Sequence, residues 1–200
     1  MKRLIAGLVM TVGMAGLAHA AGNADAGKSK TAVCAACHGA DGNSASPTFP
    51  KLAGQNEQYL LKQLHDIKSG KRKVLPMTGI LDNLSEQDLE DVAAYFSSQT
   101  TTIGQADPKQ VAIAQPLYRG GDLATGVPAC SACHGPRGLG NNPAAFPRLS
   151  GQHPEYVALQ LKNFRSGERD NDPAMMMRQI AAKLTDAQIE ALSNYVSGLH

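Results

Sequence analysis

The pentapeptide CAACH at residues 34–38 and its counterpart CSACH at residues 130–134 decide how this chain folds. Each reads C-x-x-C-H, the signature for covalent attachment of a c-type haem. Two thiols at this spacing can form thioether bonds to the two vinyl groups on one edge of a haem, and the adjacent imidazole then reaches the iron. The two motifs use all four cysteines of the chain. They predict two covalent haems, with thioether bonds and iron ligands from Cys34, Cys37 and His38 and from Cys130, Cys133 and His134.

Other uses of paired cysteines explain this pattern less well. Structural zinc sites usually separate their two cysteine pairs by about 15–20 residues, whereas these pairs lie 96 positions apart. A thioredoxin-like redox motif belongs to a βαβ unit, and no strand pattern surrounds either motif. Two disulfides are an alternative in an exported protein, but they leave the histidine after each pair without a role.

An internal repeat indicates that the chain is a tandem duplication. The heptapeptide FPKLAGQ at residues 49–55 recurs as FPRLSGQ at residues 146–152. The offset between the copies grows from 96 at the haem motifs to 97 here and 100 near the C-terminus, which indicates two short insertions in the second copy. Other repeated pairs are Tyr59 and Tyr156, Gln63 and Gln160, Ile80 and Ile180, Leu84 and Leu184, and Tyr95 and Tyr195.

The boundary between the copies falls in the polar stretch at residues 97–107. We therefore expect one domain at residues 21–104 and a second at residues 105–200. Each has fewer than 100 residues and few aromatic side chains, so its own apolar core is marginal. A covalently held haem would supply the missing apolar surface.

Residues 1–20 have the three parts of a secretory signal peptide. A basic start precedes the uncharged apolar residues 4–17, and the sequence AHA at residues 18–20 is an A-x-A cleavage site. We expect cleavage before Ala21 and a periplasmic mature protein. The alternative is an uncleaved anchor, but the apolar run is shorter than the roughly 20 residues that a membrane span needs.

Charge excludes one class of partner. Removal of Lys2 and Arg3 leaves 17 basic and 17 acidic residues, so the mature chain has no basic excess for binding nucleic acid. The cluster KRK at residues 71–73 is a local exception. It can be a docking site for an acidic partner, a contact for a haem carboxylate, or simply a solvated loop.

Hydrophobic periodicity predicts an all-α fold. Apolar residues recur at i, i+4 and i+7 in both copies, and no long stretch alternates with a period of two. The two stripes are Leu60, Leu64 and Ile67, and Val157, Leu161 and Phe164. Asn56 is placed to cap the first of these helices. Ser85 with Asp88, and Thr185 with Gln188, have the spacing of capping boxes for the last helix of each copy.

With these residues in view, the chain resembles the dihaem cytochrome c4 family over its whole mature length. The resemblance rests on the two C-x-x-C-H-G motifs, the duplicated F-P-[KR]-L-x-G-Q segment and the run DLEDVAAYF at residues 88–96. It implies two class-I cytochrome c domains related by a pseudo-twofold axis, with histidine–methionine ligation of each iron. It also implies that Pro50 and Pro147 accept a hydrogen bond from the imidazoles of His38 and His134.

The sixth ligand can also be sought among the methionines. A thioether ligand raises the reduction potential of a haem iron, and the mature chain has only Met77, Met175, Met176 and Met177. Met77 is the one internal candidate for the first haem. For the second we choose Met177, because the offset of 100 found at Ile180 and Leu184 carries Met77 to Met177 without a gap. His65 and His153 are the rival ligands.

Two classes of function follow from the resemblance and the residues. The first is an electron carrier without a substrate of its own, working in a respiratory chain towards a terminal oxidase. Its partners would be redox proteins: a quinol-oxidising complex or a small donor, and a haem-copper terminal oxidase, with peripheral association at the membrane. The second is a dihaem enzyme or enzyme subunit, such as a peroxidase or the haem subunit of a sulfur-oxidising dehydrogenase.

Overall fold

The structure, a computed structural model, describes residues 22–200. The predicted signal peptide at residues 1–20, its cleavage site included, lies outside the described residues. Within them the regular secondary structure is helical apart from two isolated β-bridges, one joining Asp122 to Val127 and one joining Asn141 to Phe146. The all-α prediction is therefore confirmed. None of the helices in residues 22–200 is both long and apolar enough to cross a membrane.

The first half of the molecule contains four helices: α1 (Ala24–Lys30), α2 (Ala32–His38), α3 (Glu57–Lys68) and α4 (Glu86–Ser98). A single 3-10 turn (Leu75–Met77) lies between α3 and α4. Helix α1 crosses α4 so closely at Gly27 that a Cβ there would lie 2.0 Å from the carbonyl oxygen of Asp91. The crossing therefore needs glycine at this position. Beneath it lies a small apolar cluster that includes Leu60, Val92 and Phe96.

The second half repeats this order. Its helices are α5 (Pro108–Gly120), α6 (Ser131–His134), α7 (Pro154–Ser166), α8 (Met176–Ala181) and α9 (Asp186–Ser197). A 3-10 turn (Pro173–Met175) leads directly into α8, which has no helical counterpart in the first half. A separate apolar cluster under α5 and α9 includes Tyr118, Ile189 and Leu192. The tandem duplication predicted from the repeat is confirmed by this matching order.

Three helix caps test the local predictions. The capping boxes at Ser85 of α4 and Thr185 of α9 are both present, with side chain and backbone bonded reciprocally. Asn56 is the N-cap residue of α3, as predicted, but its side chain makes no capping hydrogen bond. Its amide instead donates to the carbonyl oxygens of Leu139 at 3.1 Å and Phe146 at 2.7 Å in the other half.

The two halves are joined by a reciprocal pair of glutamines from the repeated heptapeptide. Gln55 donates to the carbonyl of Arg148 and accepts from its N–H, at 2.9 and 2.7 Å. Gln152 makes the same two bonds to the backbone of Lys51, both at 2.9 Å. Both glutamines are buried. Since equivalent residues exchange equivalent bonds, the halves are related by a pseudo-twofold axis.

Candidate haem sites

Each C-x-x-C-H motif is presented on a short helix that ends at its histidine. Helix α2 carries the first motif and ends at His38, and α6 ends at His134. The glycine that follows each histidine has a positive φ, 81° at Gly39 and 77° at Gly135. A side chain is disfavoured at such a φ. The glycines therefore turn the chain away immediately after the imidazole, and both rings line the cavity beyond the helix.

Both imidazoles are buried and held by a proline carbonyl. Nδ1 of His38 donates to the carbonyl oxygen of Pro50 at 2.9 Å, and Nδ1 of His134 donates to that of Pro147 at 3.0 Å. These are the hydrogen bonds that the family resemblance implies. They fix the tautomer and leave Nε2 of each ring as the atom available to a metal. Burial lowers the pKa of both histidines, although the proline carbonyl opposes it. A neutral imidazole is the form that ligates iron.

The four cysteines, all within the described residues, are free thiols in this structure, so the disulfide alternative gains no support. Residues 22–200 also contain no cluster of three or more histidine, cysteine or acidic side chains arranged to hold a metal ion. Burial raises the pKa of the Cys34 thiol and raises that of Cys130 to about 11. These thiols therefore lie among apolar groups, as the edge of a porphyrin requires.

One cavity of about 1160 Å³ runs between the two halves and reaches both motifs. It exceeds the roughly 300–1,000 Å³ typical of a small-molecule pocket. Its walls include the cysteines and histidine of each motif together with apolar side chains from both halves, such as Leu60, Leu81, Val157 and Leu161. The donor set, the apolar walls and the size fit one covalently attached haem in each half.

The methionines of residues 22–200 differ in whether they line the cavity. Met77, Met176 and Met177 line the cavity, whereas Met175 does not and is half exposed. Met77 ends the 3-10 turn, and its N–H donates to the carbonyl of Val74 at 2.8 Å. Two methionines of the second half thus line the cavity, and the choice of Met177 over Met176 still depends on the repeat register.

The two rival histidines lie elsewhere. His65 is on the surface of α3, where Nε2 lies 2.9 Å from a carboxylate oxygen of Glu86. His153 precedes α7, and its Nε2 lies 2.9 Å from Oγ and 3.0 Å from the carbonyl oxygen of Ser44 in the first half. Neither residue lines the cavity. The arrangement gives no support to bis-histidine ligation.

The sequence analysis missed a cross-domain polar network on the cavity wall. Arg72 donates to the hydroxyl of Tyr156 at 3.0 Å and to Oε1 of Gln160 at 3.1 Å, both in the second half. Arg169 makes the same bonds to the first half, at 3.0 Å to Tyr59 and 3.1 Å to Gln63. Each guanidinium also donates to the glutamine of its own half.

The signal that would have revealed this network was present in the repeat. Arg169 follows Arg72 at the same offset of 97 that relates the tyrosines and glutamines. Among the interpretations offered for residues 71–73, the solvated loop is wrong for Arg72, whose guanidinium lies in the interface. Burial of Tyr59 opposes its ionisation, but the positive charges of Arg169 and Arg72 outweigh that effect and lower its pKa.

Two such sites on a duplicated helical fold define a class of protein: a c-type cytochrome with one haem in each half. Comparison with known proteins agrees. The family model described as Cytochrome c matches residues 24–100 and 119–200. The chain is 60% identical to cytochrome c4 of Azotobacter vinelandii over 100% of both chains.

Among solved structures, reduced recombinant cytochrome c4 from Pseudomonas stutzeri superposes with a TM-score of 0.88 at 58% identity. The match covers 90% of this chain and 100% of that one. A more distant relative is the thiosulfate dehydrogenase electron acceptor of Stutzerimonas stutzeri, 37% identical over 84% of this chain and 79% of the relative. The chain belongs to the cytochrome c4 family, and its cofactors are two covalently attached c-type haems.

Proposed function

We propose that this protein is a periplasmic electron carrier that accepts and donates single electrons and has no substrate of its own. The observation that carries the proposal is that each half brings a methionine to the cavity wall in addition to a proline-bound histidine. When bound, a haem with two strong axial ligands exchanges one electron and has no open position for a substrate.

In the first half we assign thioether attachment to Cys34 and Cys37 and iron ligation to His38 and Met77. In the second half the corresponding residues are Cys130, Cys133, His134 and Met177. The proline carbonyls orient the imidazoles and raise their basicity, which favours the oxidised iron. The methionine sulfur acts in the opposite direction and raises the potential. The balance of the two groups in each half sets the potential of that site.

The same chain positions the two sites for exchange with one another. The cavity is continuous between the halves, and the glutamine and arginine bonds hold the halves together. We therefore propose that an electron entering at one haem passes to the other within the molecule. Apolar walls limit the access of water to the sites and so limit the reorganisation that each transfer requires.

The alternative is an enzyme or enzyme subunit, and the name of one relative bears on it. That relative is described as the electron acceptor of thiosulfate dehydrogenase. An acceptor of this kind would itself be a carrier, with a dehydrogenase as its donor. A peroxidase needs an open iron position, which a cavity wall with a methionine near each motif does not favour.

We further propose that residues 1–20 are a cleaved signal peptide and that residues 21–104 and 105–200 are the two haem domains. The partners would be a quinol-oxidising complex or a small redox donor, and a haem-copper terminal oxidase, with peripheral association at the membrane surface. The mature mass with two haems, measured on protein from the periplasmic fraction, tests the processing. A mass that retains residues 1–20 would contradict it.

The optical spectrum of the oxidised protein tests the carrier proposal. A methionine–iron charge-transfer band with the intensity of two haems is the expected result. A high-spin spectrum, or rapid turnover of peroxide, would favour the enzyme. Reduction by thiosulfate should require an added dehydrogenase, and reduction by thiosulfate alone would contradict the carrier.

A further inference from the structure

The segment that carries Met177 is longer than its counterpart. Four residues separate Arg72 from Met77, whereas seven separate Arg169 from Met177. The longer segment includes two consecutive residues with positive φ, Ala174 at 51° and Met175 at 58°. Neither is glycine, so both are in a conformation that their side chains disfavour. Such strain persists only where surrounding contacts impose it.

A partly buried ion pair closes this longer segment. Oδ2 of Asp172 accepts the backbone N–H of Arg178 at 2.9 Å, and Oδ1 accepts Nε of the same residue at 2.7 Å. The Asp172 side chain is 3% exposed and that of Arg178 is 26% exposed. Asp172 lies just before the strained residues, and Arg178 directly follows Met177. The pair therefore joins the two ends of the segment.

The first half closes its segment differently. The residue that matches Arg178 is Thr78, whose N–H donates to the carbonyl of Leu75 within the 3-10 turn at 3.1 Å. The residue with positive φ is Gly79, which adopts that conformation freely and comes after Met77 rather than before it. Asp172 lies within the stretch where the second copy is three residues longer.

We propose that Asp172 and Arg178 are positioning residues that hold the Met177 sulfur on the second iron. The inference rests on the ligand assignment made under the proposed function. With Asp172 in place, the segment keeps the strained backbone at Ala174 and Met175, and α8 starts where Met177 faces the cavity. Without it, the segment relaxes and the second iron exchanges its methionine readily, while the first iron is unaffected.

The test uses the full-length holoprotein and measures the oxidised spectrum and the affinity for added imidazole. Asp172→Ala should lose about half of the methionine–iron band, or should bind one imidazole per molecule at least about tenfold more tightly than the wild type. In a Met77→Leu background only the second site retains the band, and there Asp172→Ala should remove or weaken it selectively. If Asp172→Ala fails to fold, Asp172→Asn replaces it in the test, because its amide oxygen still offers an acceptor to the Arg178 N–H. Asp172→Asn should change the band and the imidazole affinity in the same direction but by a smaller amount.

Two further variants separate positioning from general destabilisation. Asp186→Ala breaks the exposed pair with Arg165 in the same half and should leave the band and the imidazole affinity unchanged. Ala174→Gly removes part of the backbone strain, so Asp172→Ala combined with Ala174→Gly should recover most of the band. An unchanged spectrum and unchanged imidazole binding in both Asp172 variants would overturn the positioning role of Asp172 and Arg178 but not the ligand assignment. A wild-type protein without any methionine band would overturn the ligand assignment as well.

Discussion

The two halves keep the same chemistry but differ in the charges around it. Both halves place an arginine in the interface, but the residues on either side of it carry opposite charges in the two halves. Lys71 and Lys73 in the first half correspond to Glu168 and Asp170 in the second. All four of these neighbours are exposed, whereas both arginines are bonded across the interface. At this place duplication has preserved the arginine that touches both halves, whereas its solvent-facing neighbours differ.

The contacts between the first and last helices of each half also differ. Between α1 and α4 the buried carboxylate of Asp91 binds Lys30 at 2.7 Å and the N–H of Asn23 at 2.8 Å. At the matching position in α9 the residue is Ala191, which is fully buried, as is Ala114 on α5. One half thus uses an ion pair where the other uses apolar packing. The four predictions that follow break or sharpen these comparisons.

The largest effect should come from the methionines. Met77→Leu and Met177→Leu should each remove half of the methionine–iron band and lower the potential of one haem. The drop should be on the order of 0.1 V, within the roughly 0.8 V that axial ligands span. Optical spectra and redox titration measure both effects. Met175→Leu is the control, because Met175 does not line the cavity. Loss of the band in Met176→Leu instead would show that the repeat register is wrong here.

Loss of an interface arginine should have the next largest effect. Arg169→Ala removes the arginine donor to the hydroxyl of Tyr59 and one of the donors to each of two glutamine oxygens, which should cost about 1–3 kcal/mol in the free energy of unfolding. Arg72→Ala should cost less, because only Arg169 also binds Asn171 and stacks 4.4 Å from the ring of Phe164.

Denaturant unfolding of the holoprotein measures this difference between the two arginines. Arg119→Ala, at an exposed position of α5, is the matched control and should change the free energy of unfolding little. Equal losses from all three substitutions would show that the network contributes nothing specific to the interface.

The ion pair between α1 and α4 should make the first half sensitive to acid. The hydrogen bond from Lys30, with those from the Asn23 N–H and Gln87, lowers the pKa of Asp91 below its ordinary value. A carboxyl group whose pKa is lowered by folding stabilises the folded state at pH values above its unfolded-state pKa of about 3.9. This contribution is lost as the pH falls through the folded-state pKa.

Asp91→Asn should therefore destabilise the protein at pH 7, and the difference from wild type should shrink below about pH 4. Thermal unfolding at a series of pH values measures this. Asp82→Asn, at an exposed position of the same half, should show no such dependence. A difference between Asp91→Asn and wild type that stays constant down to low pH would contradict the prediction.

The smallest effect should come from the exposed charges. Lys71→Glu with Lys73→Asp gives the first half the charges of the second, and should lower the potential of the first haem because less positive charge opposes its oxidation. The shift should stay below about 59 mV, the tenfold change for one electron. It should shrink further at high salt, since exposed charges are screened over ~10 Å at 0.1 M ionic strength. Lys109→Glu is the control, and a shift in the opposite direction would contradict the argument.

Much of the fold and of the sites could be predicted from residues that act locally. A C-x-x-C-H motif needs only one turn of helix to present its three side chains, so its chemistry can be recognised in five residues. The capping boxes at Ser85 and Thr185 also close within four residues, and both are present. The duplication is visible because an offset of nearly constant size relates distant segments.

The features that could not be predicted depend on how the second half packs against the first. Asn56 is a good cap by its type and position, but its amide has better acceptors in two carbonyls of the other half. Arg72 lies between two lysines that indicate a solvated loop, and only the docking of α7 brings Tyr156 and Gln160 to it. His153 is a plausible iron ligand by its type, but the interface places its ring against Ser44.

The sequence by itself determined the cofactor, the helical class and the duplication, because each is encoded in spacing within a segment or between two copies of it. Only the tertiary structure decided that the Asn56 side chain leaves its helix for the other half, and which other polar side chains cross the interface. It also decided that the segment before Met177 is closed by Asp172 and Arg178. The physical reason is that a polar side chain forms hydrogen bonds with the best donors and acceptors that the folded chain brings close to it. For residues at an interface, those partners come from sequence about 100 positions away.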